Sequence, residues 1–528
     1  MGYNRNDERK GCEQMRKSTQ KRGYKLPRRF IVTALLLILQ VSLTFYFAHY
    51  VFENAYNFYI LFELFSIGSV IYIVNKRGNP SYKVMWVAFI LLIPFGAGWL
   101  FYLTFGGNRV FPYIKKRYCA FENETLALLP QNPRVVESIS QRVLMGEKQS
   151  HYLYGDSGYP LYDSTDSEFY PSGEAVFAAV LKDLANAKRY IFIEFFILAE
   201  GFMWEEIYTI LKRKVSEGVE VRMIFDDFGS ANRQYKGFVE ELRKNGIKVS
   251  VFNPIKPTSN VFLNNRNHRK IIVIDGEIAF TGGFNIADEY INRLKLHGHW
   301  MDCGIRLQGS AVKSFAAMFV SMWNFTNNKP LLKAEDYLVD KPLELAAGFL
   351  QPYCDGPFDD HRTAEGLYLQ MINSAKDYVY IATPYLIIDN TMIDALERAA
   401  KSGVDIRIIC PHIPDKWYVH PVTQYHYSQL LEAGVKIYEY TPGFIHSKLF
   451  CVDGLYATVG TVNMDYRSFN FHFECGVWMC STPAVPEIRE NLLHTMEISE
   501  EIIPEKWAKR PWTQRAKQFI LHIFAPFM

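Results

Sequence analysis

The 528-residue sequence holds 8 cysteines but no Cys-x-x-Cys pair, and Cys12, Cys119, Cys303, Cys354, Cys410, Cys451, Cys475 and Cys480 form no regular framework. That excludes a disulfide-stapled scaffold and favours a reducing compartment, with the cysteines in strand-like text read as buried small hydrophobes. A zinc pattern is missing too, since His297-Gly298-His299 is an isolated pair that reads as a loop. Nor is there a basic domain. Net charge is +3, residues 1–29 alone supply +7, and the rest carries 48 basic against 52 acidic residues. A nucleic-acid enzyme would concentrate positive charge on a domain, so no nucleic-acid partner is expected. Beyond the basic arm at 1–29 there is no low-complexity segment.

Charge is also scarce in three stretches near the front. Phe30 to Phe52 has no Lys, Arg, Asp or Glu, Ala55 to Val74 holds only Glu63, and Val84 to Phe105 is a third apolar run containing Pro94, Gly96 and Gly98. Each is long enough to span a bilayer. The first is too long, and too closely followed by the second, to be a cleavable signal. The basic arm places the N-terminus in the cytoplasm. Three full spans would put the rest outside, whereas Arg109, Lys115, Lys116 and Arg117 argue for inside. The Pro and Gly residues allow a re-entrant third segment. The expectation is therefore a multi-pass cell-membrane protein with two full spans and a cytoplasmic-facing catalytic region.

What the chain has in duplicate is more telling. His268-Arg269-Lys270 running on to Asp275 recurs as His446-Ser447-Lys448 running on to Asp453, 178 residues later. In each copy a small-residue turn ending in Asn follows: Gly282-Gly283-Phe284-Asn285 and Gly460-Thr461-Val462-Asn463. Ile271 to Ile274 and Leu449 to Val452 read as strands, Asp-Gly as a hairpin turn, and alternation puts the His and Lys of each copy on one face. The repeat extends outward. Ala187-Lys188-Arg189-Tyr190 matches Ala375-Lys376-Asp377-Tyr378, Gly218-Val219-Glu220-Val221-Arg222 matches Gly403-Val404-Asp405-Ile406-Arg407, and Asp302-Cys303-Gly304-Ile305 matches Glu474-Cys475-Gly476-Val477. Each half reads helix, strand, helix, strand, helix, strand, motif hairpin, strand. That predicts an α/β unit built twice in tandem and related by pseudo-two-fold symmetry.

Two motif faces opposed across such an axis suit phosphoryl chemistry. A histidine attacks phosphorus only when neutral, whereas the leaving alkoxide needs an acid, and one imidazole cannot hold both states. A phosphohistidine on one side with proton delivery from the other resolves this. Lys270, Lys448, Asn285 and Asn463, with Gly283 and Thr461 of the turns, form the expected phosphate-binding set and replace a metal, so no cofactor or metal is expected. Asp275 and Asp453 lie at the hairpin turns with the opposite strand parity, so they read either as turn formers or as catalytic groups. Asp302 and Glu474, on the following strand, are the candidates for orienting imidazole Nδ1.

The paired His-x-Lys-x4-Asp-x6-Gly-x-x-Asn motifs resemble the phospholipase D superfamily, and the flanking text resembles its bacterial cardiolipin synthases. The similar text includes Gly282 to Tyr290, Trp300-Met301-Asp302, Thr383-Pro384-Tyr385, Asn463 to Phe469, and Glu194. It covers nearly the whole chain, with His472 standing where that family usually has Asn. The resemblance implies a membrane-bound transphosphatidylase that takes phosphatidylglycerol among anionic membrane lipids and transfers phosphatidyl from one molecule to another, giving cardiolipin and glycerol. His268 would attack the phosphodiester and His446 would protonate departing glycerol, although a near-symmetric repeat leaves the reverse order open. A phospholipase D using water or another alcohol is an alternative, and a catalytically inactive membrane scaffold is another.

The expected organisation is a basic arm (1–29), a membrane region (30–108), a connector (109–170), two phospholipase D-like halves (171–335 and 361–508) joined by a linker (336–360), and an amphipathic tail (509–528). The tail mixes Lys509, Arg510, Arg515 and Lys517 with Trp512, Phe519, Ile520, Ile523 and Phe524. It reads as a helix on an anionic bilayer or as one packed on the core.

Overall fold

The computed structural model describes isolated positions between 38 and 49 and then residues 56–528, apart from 77–78, 94–97, 101, 103–110, 255–263, 328–330, 345 and 359–360. The basic arm, most of the first apolar stretch, Cys12, Pro94 and Gly96 lie outside the described residues. The second apolar stretch forms helix α1 (Tyr56–Asn75) and the start of the third forms α2 (Pro80–Leu92). Against the expectation of two or three spanning helices, no helix among the described residues is long and apolar enough to cross a membrane. Asn79 caps α2 through the Ser81 N–H and the helix ends at Ile93, so its 13 residues rise only ~20 Å.

The connector is not loop text. It folds as α3 (Pro112–Leu126) and two further helices, Pro133–Arg142 and Leu144–Ser157. Beyond it each half contains seven principal strands. In the first they are β1 (Thr165–Tyr170), β2 (Tyr190–Phe195), β3 (Glu220–Asp226), β4 (Lys248–Phe252), β5 (Ile271–Ile274), β6 (Ile278–Gly282) and β7 (Gly304–Gly309). In the second they are β8 (Phe349–Asp355), β9 (Tyr378–Ala382), β10 (Asp405–Pro411), β11 (Lys436–Tyr440), β12 (Leu449–Val452), β13 (Tyr456–Gly460) and β14 (His472–Cys480). The sheet orders are β1-β7-β6-β5-β2-β3-β4 and β8-β14-β13-β12-β9-β10-β11, so the second repeats the first and adds the short edge pair Glu500–Glu501 beyond β11. β2-β3-β4 and β9-β10-β11 are parallel and the remaining pairings antiparallel. The expected pattern omitted β1 and β8; β8 lies inside the segment read as a linker, and its Gln351 and Pro352 break the apolar text.

Helices α4 (Val312–Thr326) and α5 (Ala484–Glu497) lie in the core between the sheets together with α3, where Phe315 to Val320 of α4 is fully buried. That central core mixes Ile271, Val273 and Ile305 with Leu449, Val459 and Val477, so the halves share one interior. Separate apolar clusters back the outer face of each sheet. The chain closes with α6 (Trp512–His522). The described cysteines are free, all but Cys119 are buried, and none forms a disulfide.

Candidate active site

Two short ladders join the halves. Arg266–Asn267 runs parallel to His472–Phe473, and Gly443–Ile445 runs parallel to His299–Met301. Each ladder ends one residue before a motif histidine on one side and one residue before a carboxylate on the other. The register therefore sets His268 opposite Glu474 and His446 opposite Asp302, with His268 N–H donating to Phe473 O (2.9 Å) and His446 N–H to Met301 O (2.7 Å). The side chains follow. His268 Nδ1 lies 2.9 Å from both Glu474 oxygens, and His446 Nδ1 lies 2.6 Å from Asp302 Oδ2. Each imidazole is thus held by the carboxylate of the other half.

Both rings line one cleft of about 610 Å³ with Asn285, Asn463, Tyr290, Trp300, Tyr385, Lys416, Arg467 and His472. Aromatic walls fix their tilt: Phe196 meets His268 edge-on at 5.0 Å, while Tyr290 and Trp300 stand 5.4 and 5.5 Å from His446. Repeat-matched positions differ here. Two residues before Asp302 is Trp300, whereas two before Glu474 is His472, whose Nδ1 lies 3.5 Å from Glu474 Oε1. Glu474 also accepts from the Thr461 hydroxyl.

Burial sets the protonation of the site. It drives His268 down to about 3, against the pull of Glu474 and aided by the Lys270 charge. His446 is forced well below its usual range by burial, then by Lys448 and Lys270. Burial lifts Asp302 to about 7 against the Lys448 charge. For Glu474 burial is outweighed by His268, and the carboxyl is held well below the usual range. Lys270 and Lys448 are lowered to about 7 and about 8 by desolvation. Desolvation thus weakens both lysine charges, which a neighbouring anion would strengthen.

The sequence candidates divide in this geometry. His268, His446, Asn285 and Asn463 meet in the cleft, with Asp302 and Glu474 behind the rings. Lys270 Nζ donates to His268 O at 2.7 Å and Lys448 Nζ to His446 O. Asn285 is held by the Ile197 N–H and by the Tyr290 hydroxyl. Asp275 and Asp453 stand apart from the cleft. Asp275 accepts the N–H groups of Lys188, Arg189 and Tyr190 (2.8, 2.7 and 3.0 Å), and Asp453 those of Lys376, Asp377 and Tyr378 (2.8, 2.9 and 2.8 Å). Both sit at positive φ ahead of a positive-φ glycine, the geometry of a type I′ hairpin. Gly283 and Thr461 also fall outside the expected phosphate set. The Gly283 N–H donates to Cys303 O, and a Cβ there would stand 2.1 Å from Asp302 Oδ1; the Thr461 N–H donates to Cys475 O and its hydroxyl to Glu474. Lys416, bound to Asp415 and to the Tyr385 hydroxyl (2.7 Å), was not marked by the repeat because it lies in an irregular segment of one half only.

A family described as "Cardiolipin synthase, PLD-like domain" matches residues 180–323 and 368–496, one block in each half. The chain belongs to that family. Among its relatives, a cardiolipin synthase of Halalkalibacterium halodurans is 32% identical over 90% of this chain and 94% of its own length, and cardiolipin synthase 2 of Bacillus cereus is 35% identical over 88% and 90%. An uncharacterized protein of Streptococcus mutans is 39% identical over 88% of this chain and its whole length. The crystal structure of a Haemophilus influenzae phosphatidylserine synthase shares the fold, with a TM-score of 0.54 at 14% identity over 72% of this chain and 98% of that one. In this chain each block holds six of the seven principal strands of one sheet, without the edge strands β1 and β8, and the cleft is built by both halves.

Proposed function

We propose that this family member transfers phosphatidyl between two phosphatidylglycerol molecules through a phosphohistidine on His268. One difference between the two imidazole–carboxylate pairs carries the assignment: Glu474, touched by His268, His472 and Thr461, is held low, whereas Asp302, with His446 alone on its Oδ2, is raised by burial. Glu474 stays ionised, so the neutral His268 ring donates Nδ1–H to it and turns the Nε2 lone pair to the cleft. Asp302, lifted to about 7, keeps a proton near neutrality and offers it to His446 Nδ1, which leaves Nε2–H facing the cleft. A nucleophile and an acid thus stand ready together.

In the first step His268 Nε2 bonds to phosphorus as the bond to the glycerol oxygen breaks. His446 Nε2–H protonates that oxygen while the Asp302 proton moves to Nδ1, and glycerol departs. In the second step His446 Nε2 takes the proton of an incoming primary hydroxyl, whose oxygen bonds to phosphorus and releases His268. Lys270 and Lys448, just behind the histidines, and the amides of Asn285 and Asn463 in the cleft would stabilise the charge on the non-bridging oxygens. The apolar text of the N-terminus, with Ile60, Leu64, Phe65, Ile67 and Ile71 exposed along α1, supports a tether that holds the cleft at a membrane, and the basic residues before and after the apolar stretches favour a catalytic region facing the cytoplasm.

Mass spectrometry of products from phosphatidylglycerol alone tests the reading. Cardiolipin with an equal amount of glycerol is expected, unchanged in excess chelator, and His268→Ala should abolish both turnover and a trapped phosphatidyl adduct. Phosphatidic acid as the main product would replace transfer by hydrolysis.

A further inference from the structure

Helix α6 is amphipathic in an inverted sense. Its polar side faces the protein: Gln518 is 1% exposed, accepts from Arg510 Nε at 3.1 Å and reaches Gln424, and His522 stacks on Tyr425 at 3.8 Å. Its apolar side faces outward, with Trp512 77%, Phe519 61%, Ile520 56% and Ile523 51% exposed. These fall at the i, i+7, i+8, i+11 spacing of a single helical stripe. Leu521 packs inward on Ile387, Val419 and Val422, yet the larger apolar side chains of the helix remain outside.

The stripe continues onto the body of the protein and then into the cleft. Lys517 Nζ lies 5.6 Å over the ring of Trp417, which is itself 69% exposed, and the neighbouring Tyr418 lines the cleft. A few residues beyond α6 the chain enters the same cleft: Phe527 and Met528 form part of its wall, their carbonyls accepting from Arg467 Nε (3.0 Å) and Arg467 N–H (3.1 Å). From Lys506 to Met528 there are five Lys and Arg and no Asp or Glu.

We propose that α6 together with Trp417 is an interfacial platform that seats the mouth of the cleft on an anionic phospholipid bilayer, so that lipids pass from the bilayer to the histidines beside it. A large outward apolar stripe flanked only by positive charge matches the acyl boundary and the headgroups of such a surface. This rests on the transferase reading for its purpose but not for its test. The platform is a second attachment, separate from the N-terminal segment, and acts on substrate access.

The experiment uses the full chain in vesicles of phosphatidylglycerol and phosphatidylcholine, with Cys12→Ser and Cys119→Ser and an environment-sensitive dye at Ile520→Cys or, as the solvent-facing control, at Glu490→Cys. A shallow lipid-borne quencher should dim the first dye and spare the second, more so as the phosphatidylglycerol fraction rises. Quenching of both dyes alike by an aqueous quencher, with none from the lipid, overturns the proposal, as does protection of the Ile520 dye that depends on protein concentration in detergent, which would mark a contact between copies. In parallel, Trp512→Ser, Phe519→Ser, Ile520→Ser and Ile523→Ser combined should cut turnover on vesicles ~tenfold or more while sparing a short-chain phosphatidylglycerol dissolved as monomer. An equal fall on both substrates would make the stripe merely structural and overturn the platform. Lipid quenching with a wild-type protein that makes no cardiolipin would instead leave the platform standing and remove the transferase reading.

Discussion

Replacing Glu474 by Gln removes one charge and almost no volume. In the protein His268 Nδ1 sits 2.9 Å from both carboxylate oxygens, and Thr461 donates to one of them. A glutamine can still present its single oxygen to Nδ1–H, and its NH₂ can donate to the Thr461 oxygen while that hydroxyl donates to Cys475 O, already 3.1 Å away. The ring therefore stays oriented. What is lost is the anion beside a ring that becomes positively charged when phosphorus bonds to Nε2. Two unit charges ~4 Å apart at an effective dielectric near 20 interact by about 4 kcal/mol, which converts to about 10³-fold in the rate of attachment. Amide replacement of the carboxylate in a serine-protease triad costs a comparable ~10⁴-fold. Quenched-flow trapping of the phosphatidyl adduct from labelled phosphatidylglycerol measures the step directly, with a thermal melt to check folding. A folded Glu474→Gln protein that forms adduct within tenfold of the wild-type rate would refute the electrostatic role.

Three further outcomes are expected. Because Lys270 and Lys448 are lowered to about 7 and about 8 and Asp302 is lifted to about 7, the free protein loses its binding charge and its acid as pH rises through that range; kcat/KM should fall above pH ~7–8, while the limb of kcat moves higher because the bound anion restores the lysine charges, and a flat kcat/KM to pH ~9 would contradict this. Asp275→Asn and Asp453→Asn each leave one oxygen for three backbone N–H groups, so each should cost ~1–2 kcal/mol in denaturant unfolding with kcat nearly unchanged; a collapse of kcat at unchanged stability would return these residues to the chemistry. Gly283→Ala drives a Cβ to 2.1 Å from Asp302 Oδ1, so turnover should fall at least ~10²-fold through displacement of His446, and wild-type turnover would show that Asp302 is not needed where it stands.

The duplicated α/β architecture was legible because strand alternation and the Asp-Gly hairpins repeat at fixed offsets, and β5 and β12 fall where the apolar text ends in Asp. The edge strands β1 and β8 were not, since Thr165–Tyr170 alternates with charged residues and Phe349–Asp355 contains a proline. The site was legible as a set of residue types but not as a set of pairs. Nothing within one copy of the motif says that its histidine is held by the carboxylate of the other, because that pairing arises from cross-half ladders of two or three residues. Parity argued that Asp275 and Asp453 point away from the histidines, yet the backbone groups they bind lie some 85 and 75 residues earlier and are visible only in three dimensions. In the membrane region hydropathy reports the apolar text of the third stretch, whereas Asn79 and the end of α2 at Ile93, just before Pro94, fix how much of it becomes that helix.

The exchange of carboxylates between the halves has a consequence for how such a chain could arise and change. Two identical copies related by a two-fold axis would each complete the other's histidine, and both sites would be forced to be alike. Joining the copies end to end keeps the exchange but frees each position to change alone. The matched residues Trp300 and His472, set beside Asp302 and Glu474, show that freedom in use. A symmetric dimer could hold two equal bases; a single chain can hold a base and an acid, and neither half can mature into a working site before the other has folded against it.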